Sequence, residues 1–565
     1  MSEPYSYHTF ILPFVWKDKK NALQSLDAFA GLFEGHPDWE SLNIGEGLTP
    51  GGKLPARFAG DQAGTQEARD FYKEYQYFYP HVRDALYGFK NTVVRGFSFS
   101  PDLVHNKAQY IITKHGTGPD EQGPDTAYTL LVYAIKLMIY NTGVALFILE
   151  CENHEPAQRS LSAVKTINDL GRRINLPFIP TPDNPSICAD VQTVEIPGEG
   201  DPVRFVTDFY TFSHSKKTGE DYLQHSSVTY ISQFIKEILS YNQPLYRFTS
   251  DLNKAGVNRE GLNPDGPEKQ NLYIRPAVDD RMFVLCCVND PKETGKFLGE
   301  NAEADDQDRP FMTDPEQQKR LYELIFIDPD NGCTCRSASM RKKLLQEHVY
   351  TRWIGVNSVY GFTDQSLIYL SSDPPEHVRE SFLIHYNRMA GLALAQRASL
   401  ELFEYEMSLV SGDSMTGKNQ RLKREAITRI MALRQRFISY QSQLGFTDVT
   451  SQLQGLELWE CLRNSLRIPA RTESLSERLE ALHEAADTDL SYTLNILGVF
   501  IAVLTVFDII NGIFGSDSTL GMLFQWKDGI TGARSLLAYV GGLVLVVVIC
   551  VWLYRFLQWF YRKKQ

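Results

Sequence analysis

LNILGVFIAVLTVFDIINGIF, residues Leu494–Phe514, and LLAYVGGLVLVVVICVWLYRFLQWF, residues Leu536–Phe560, are the two stretches on which the reading of this chain turns. Each is long enough to cross a hydrocarbon core of about 30 Å as a helix, which needs roughly 20 residues. A polar loop separates them, and Arg562, Lys563 and Lys564 follow the second. Residues 1–490 contain no comparable run. The pattern predicts a large body anchored by a C-terminal hairpin, with 491–565 as a two-helix transmembrane pore domain. The basic end of the second run predicts an inner-membrane protein with both termini in the cytoplasm.

Composition fits a body of that kind. The chain has 565 residues, enough for two or three domains. Its mean hydropathy of -0.28 makes the membrane part local. A formal charge of -12 argues against direct nucleic-acid binding, which needs a basic face. The start, MSEPYSYHTFILPFVW, lacks a basic segment and a small-residue cleavage site, so no signal peptide is expected. Eight cysteines are scattered without a disulfide framework.

Residues 1–371 read as an α/β ligand-sensing domain. Strands are expected at Thr9–Trp16, Met282–Val288, Leu324–Ile327 and Leu367–Leu370, and a hairpin at Tyr128–Cys151 around Asn141-Thr142-Gly143. Helices are expected at Ser160–Ile174 and Tyr222–Tyr241. Residues 372–490 read as a helical stalk: Val378–Val410, Arg421–Gln443, Val449–Leu466, a break at Pro469, and a restart at Ser474 with a capping box to Glu477. Leu475, Leu479, Leu482, Ala486, Leu490, Leu494, Leu497 and Ile501 keep a 3.5-residue period, which holds one seam towards neighbouring helices. That seam predicts a helix lining the axis of a symmetric homo-oligomer; packing on the chain's own helices is the alternative.

A body, an axial helix, a membrane hairpin and a basic tail together resemble the CorA metal-ion transporter superfamily. Where that family reads Gly-Ile-Tyr-Gly-Met-Asn, this chain has Gly512-Ile513-Phe514-Gly515-Ser516-Asp517. Three further segments resemble the CorA-like effectors of type III CRISPR systems: Ile167-Asn168-Asp169-Leu170-Gly171-Arg172-Arg173-Ile174, Val278-Asp279-Asp280-Arg281-Met282-Phe283-Val284, and Ala393-Leu394-Ala395-Gln396-Arg397-Ala398-Ser399-Leu400. The resemblance implies a pentameric funnel and pore, partnered by its own copies and the bilayer. It also implies opening by a small nucleotide messenger, S-adenosylmethionine joined to AMP (SAM-AMP), in antiviral defence. Loss of Met-Asn puts the alternative, a Mg2+ transporter, in doubt.

The candidate ligand site consists of Asn168, Arg172, Arg173, Asp279, Asp280 and Arg281. Guanidinium groups offer phosphate planar, permanently charged donors, and carboxylates can accept from ribose hydroxyls and pair with a cationic methionine moiety. An internal Arg173–Asp280 ion pair is the rival reading. Tyr360, Trp353 and Tyr273 are candidate adenine clamps. The candidate pore is Leu494, Leu497, Ile501, Thr505, Asp508, Gly512, Ser516 and Asp517, with Asp508 the costly charge that would face a polar cavity. Glu484, Asp487 and Asp489 would gather cations at its mouth. Gly412–Lys418 followed by Asn419 misses the hydroxyl and preceding strand of a P-loop. Cys333-Thr334-Cys335 and Cys286-Cys287 lack a second metal-ligand pair. No catalytic constellation, metal site or resident cofactor emerges, so the chain is expected not to be an enzyme.

Overall fold

The computed structural model describes residues 3–18, 23–42, 75–87, 92–115, 125–176, 191–198, 200–210, 230–250, 269–299, 301, 303–372, 376–410 and 420–513. These divide into two compact units, Met1–Leu409 with Gln435–Leu475, and Val410–Arg434 with Ser476–Gln565.

The first unit is organised on a single mixed sheet. Its strands are β1 (Ser6–Asp18), β2 (Trp39–Ser41), β3 (Val94–Phe99), β4 (Gln109–Lys114), β5 (Thr126–Tyr140), β6 (Val144–Asn153), β7 (Val191–Ile196), β8 (Val203–Asp208), β9 (Tyr246–Ser250), β10 (Gln270–Pro276), β11 (Phe283–Asn289), β12 (Val349–Tyr350), β13 (Ser358–Phe362) and β14 (Ser366–Ser371). The main path runs β12-β13-β14-β11-β1-β6-β5-β4-β7-β8. β1 is central and buried almost throughout, as its run of apolar residues requires when both faces are covered. The β5–β6 hairpin turns at Asn141-Thr142-Gly143, where Gly143 takes φ 93°, a conformation that favours glycine.

Three long-range features fix the site. One edge of β1 pairs throughout with β6, from Ser6 opposite Asn153 to Val15 opposite Val144. The other edge is shared: β11 pairs with Ser6–Ile11 and β10 with Phe14–Asp18. Pro13 lies in the gap, where a strand needs no donor from it, and its carbonyl accepts from Ala277 N at 2.9 Å. Residues between β10 and β11 must therefore leave the sheet.

Helices α1 (Leu161–Gly171), α2 (Gln233–Ser240) and α3 (Pro315–Ile325) pack on one face. There Phe10, Leu12, Phe14, Leu137, Phe147 and Leu149 form the core with Ile167, Ile235 and Leu324. The opposite face carries α4 (Glu376–Ser381), a π-helical turn at Phe382–Tyr386 and α5 (Asn387–Val410). Ala390, Ala393, Ala395 and Ala398 are buried, and small residues allow that close approach. Helices α6 (Gln420–Gln443), α7 (Leu453–Ser465) and α8 (Ile468–Ile513) follow.

Several expectations are corrected. Leu324–Ile327 is no strand: Leu324 and Ile325 end α3, anchored by the proline and the Asp314 cap at its start. Pro469 does not break a helix but lies in the first turn of α8, where a missing N–H costs nothing. Ser474 and Glu477 therefore lie inside that helix rather than capping it. The helix expected over Tyr222–Tyr241 is observed as Gln233–Ser240, residues 222–229 lying outside the described residues.

The CorA-like architecture and the inner-membrane, two-span assignment are also overturned. Among the described residues no helix is long and apolar enough to cross a membrane. The first apolar run continues a helix whose opening carries Arg471, Glu473, Glu477, Arg478 and Glu480. The second run, Leu536–Phe560, lies outside the described residues. The architecture observed is a large mixed sheet with helices on both faces. In the second unit, Leu482 of the seam packs against Val410, Ala426 and Ile430 of the same chain.

A buried polar network ties β1 to α1. His8 is fully buried, its Nδ1 2.7 Å from Asn168 Oδ1 and its Nε2 2.9 Å from Ser6 Oγ. Burial lowers its pKa to about 4 from an ordinary 6.5. A depressed folded-state value means that this stability is complete above pH 6.5 and drains as pH falls towards 4. The expected loss is about 3 kcal/mol across that window. Urea unfolding of the wild type and His8→Gln at pH 7.5 and 4.5 checks it; equal pH slopes for both proteins would remove His8 as the cause.

Candidate functional site

The two motifs singled out in the sequence meet. An isolated antiparallel bridge pairs Arg173, just past α1, with Arg281, just before β11. Met282 N donates to the Arg172 carbonyl at 2.8 Å. The excursion opposite Pro13 thus carries Asp279, Asp280 and Arg281 onto the C-terminal end of α1. Asp279 and Asp280 line a cavity of about 360 Å³ with Val15, Arg275, Glu401, Leu402 and Tyr405.

The six predicted residues take different places. Asn168 is fully buried and engaged with His8, away from the cavity. Arg172 is enclosed, donating to Gln365 Oε1 at 2.6 Å and the Ile327 carbonyl at 3.2 Å. Arg173 donates to Asp169 Oδ1 at 2.7 Å, one turn back. The rival Arg173–Asp280 pair is replaced by a short-range one, since Arg281 reaches both acids: Asp279 Oδ2 at 3.2 Å and Asp280 Oδ1 at 3.3 Å. Asp279 and Asp280 face the cavity, Arg281 backs them, and Arg172 is not part of its lining.

Charge is crowded here. Burial lowers the Arg172 pKa to about 9, and the positive charges of Arg281 and Arg173 push the same way. Burial also raises Asp280 above the carboxylate range, with the Asp279 hydrogen bond and charge adding to it. Among the described residues, the buried Nε atoms of Arg172 and Arg173 have no hydrogen-bond acceptor, while Arg281 Nε lies 3.3 Å from Asp280 Oδ1. Three guanidinium groups therefore converge beside two acids, two of them with unused donors, a layout suited to an oxyanion with a polar or cationic neighbour.

Sequence reading missed Arg275, Glu401 and Tyr405. Arg275 stacks 4.6 Å from the centroid of Tyr405, and Glu401 lies one helical turn before Tyr405 on α5. Their i,i+4 spacing was visible, but nothing local indicated that α5 would lie beside the end of β10. The proposed clamps do not gather here. Tyr360 is buried in an aromatic stack with Tyr369 at 4.5 Å, and Trp353 is exposed. Tyr273 lies within β10, opposite Lys17.

Of the predicted pore residues, only Ile501 and Thr505 have described side chains. Ile501 is exposed and Thr505 Oγ1 returns to the Ile501 carbonyl at 2.6 Å. Leu494, Leu497, Asp508 and Gly512 are helical, and Ser516 and Asp517 lie outside the described residues, as does the loop 411–419. No group of metal-ligating side chains occurs among the described residues. The chain matches no known protein family, no curated protein and no solved structure.

Close approach holds the junction. A Cβ on Gly171 would lie 2.7 Å from Phe10 Cζ and 3.0 Å from Ile112 Cδ1. Gly171→Ala should destabilise by about 1–3 kcal/mol through overpacking. Chemical denaturation measures this, and an unchanged midpoint would show that α1 can retreat freely.

Proposed function

We propose that this chain is a sensor that binds a phosphate-bearing nucleotide at the Arg–Asp junction and performs no chemistry on it. The bridge that sets Arg173 and Arg281 beside the acids of the cavity, with buried Nε–H donors of Arg172 and Arg173 left without an acceptor, carries this reading. Each unsatisfied buried donor costs free energy, about 1–3 kcal/mol, that an anionic ligand would recover. Asp279 and Asp280 would take ribose hydroxyls or a cationic group, and Tyr405 offers an aromatic face. A cavity of about 360 Å³ lies within the range of small-molecule sites and suits a mononucleotide-sized group.

The ligand implied by the sequence resemblance, SAM-AMP, combines these groups: one phosphate, riboses and a sulfonium-bearing methionine. Binding would be transmitted along β1 and α5, which flank the cavity. The ligand must favour one arrangement over another for any signal to result.

The test is calorimetric titration with SAM-AMP, with AMP, S-adenosylmethionine and a cyclic oligoadenylate as comparators. SAM-AMP should bind saturably, and Arg281→Ala and Asp279→Asn should each weaken it at least tenfold while melting as the wild type does. Absence of saturable binding by any of the four to the wild type would sink the nucleotide reading.

A further inference from the structure

A second cavity, about 520 Å³, lies on the α5 face of the sheet between β5, β6, the start of β1 and the segment from Arg379 to Gly391. It shares no lining residue with the Arg–Asp junction. Two local irregularities face it, one in each wall. In β5 the register against β6 shifts between Val132 and Ala134, so Tyr133 is an inserted residue, and it lines the cavity. In the opposite wall the helix widens to a π-turn at Phe382–Tyr386, and Leu383 and Ile384 line the cavity. Bulges and π-turns each re-aim a side chain at the expense of regular hydrogen bonding, and both are concentrated at functional sites.

Strand register orders the lining along its length. Tyr7 opposes Glu152, Thr9 opposes Glu150, and Lys136 opposes Ile148. Further along, Met138 opposes Leu146, with Gly391 above: its Cβ position lies 3.8 Å from Leu146 Cδ1. One end is therefore polar; the other is apolar over Met138, Leu146 and Gly391 and is bounded beyond them by Tyr140 and Arg388, whose guanidinium lies over the Tyr87 ring. In the middle, Glu150 is saturated, accepting from Lys136 Nζ at 2.7 Å and Asn387 Nδ2 at 3.0 Å. At the polar end Arg379 and Glu152 carry opposite charges, and each is held by a replaceable partner. Arg379 pairs with Glu3, whose side chain is 63% exposed. Glu152 pairs with His154 at 2.8 Å. Glu3 is held only from the surface, and His154 carries charge only when protonated, so a ligand's ionic groups can take the place of both.

We infer that this cavity binds an amphipathic zwitterion of the α-amino-acid type, its carboxylate on Arg379, its ammonium on Glu152 and its apolar body over Met138, Leu146 and Ile148. Tyr7 adds a phenol donor at the carboxylate end: burial pushes it up to about 12, so it keeps its proton at neutral pH. The volume lies well inside the range of small-ligand sites and accommodates a large apolar or aromatic body. Glu150, already neutralised by Lys136, fixes the strand spacing without competing for the ammonium.

The test uses L-tryptophan as probe, with tryptamine lacking the carboxylate and indole-3-propionate lacking the ammonium. L-Tryptophan should bind the full chain saturably, and each analogue at least tenfold more weakly. Arg379→Ala should raise the Kd for L-tryptophan at least tenfold, and Arg379→Lys should recover part of it. Gly391→Leu, which keeps the helix and projects into the cavity, should abolish binding while the thermal midpoint is held or raised. Undetectable L-tryptophan binding in wild-type protein of normal midpoint would overturn the proposal. Equal affinity of L-tryptophan and tryptamine, or unaltered binding in Gly391→Leu, would overturn it as well.

Discussion

Everything placed at the Arg–Asp junction depends on the way β1 divides one of its edges between two strands. β10 takes Phe14–Asp18 and β11 takes Ser6–Ile11, so the connecting residues face only Leu12 and Pro13 and cannot continue the ladder. Proline, with no N–H, removes the donor that would otherwise draw a strand into the gap. Six residues, 277–282, must span a gap of two, and the surplus carries Asp279, Asp280 and Arg281 out of the plane. The bridge from Arg281 to Arg173 then fastens that surplus to the end of α1. A local rule about proline thus becomes a statement about where charge is concentrated.

β5 repeats the arrangement on the far side of β6. Its outer edge pairs with β4 through Thr126–Leu131 and with β3 through Lys136–Tyr140. Residues 132–135 fall between the two partners, and the register break that inserts Tyr133 lies there. A strand too long for one partner leaves a short stretch free of ladder constraints on that edge, and irregular backbone is cheapest in such a stretch. Both cavities adjoin a gap of this kind. The sheet is rigid where pairing is continuous and offers binding surface where it is not.

Much of the sheet was legible because its signals are local. β1, β11 and β14 are apolar runs of strand length, and Asn141-Thr142-Gly143 announces its turn. The segments at 172–173 and 279–281 meet in the fold, although no spacing in the sequence relates them. Leu324–Ile327 misled because an apolar tetrapeptide reads alike at a helix end and in a strand. Pro469 misled because the same residue breaks a helix in its interior and begins one in its first turn. Arg172 looked like a ligand contact because guanidinium groups suit phosphate; sequence does not reveal that Gln365 and the Ile327 carbonyl await it. The seam from Leu475 to Ile501 has the period of an oligomer axis, yet Leu482 satisfies it on the chain's own Val410, Ala426 and Ile430. Periodicity fixes which face is covered and leaves open by what.

Two buried charge clusters in this fold show why only one invites a ligand. Lys165 lies between α1 and α3 with Nζ 2.6 Å from Glu323 and 2.5 Å from Asp330. One cation there meets two carboxylates at bonding distance, and the burial of Lys165 is compensated within the chain. At the junction, three guanidinium groups face Asp169, Asp279 and Asp280, and Asp280 is the acid pushed towards holding its proton. Protonation of Asp280 would leave the arginines less compensated, and the Nε donors of Arg172 and Arg173 have no acceptor. A buried ion cluster is seldom the cheapest way to fill a core, since apolar side chains of similar size commonly do as well. The Lys165 cluster has acids in excess of its cation, and its one atom without a hydrogen-bond partner, Glu323 Oε1, is an acceptor that would repel an anion. An entering oxyanion would supply the arginine cluster with acceptors and offset the mutual repulsion that adds to burial in depressing Arg172. The asymmetry between the two clusters, more than the presence of arginine itself, is the physical reason to regard the junction as a receptor.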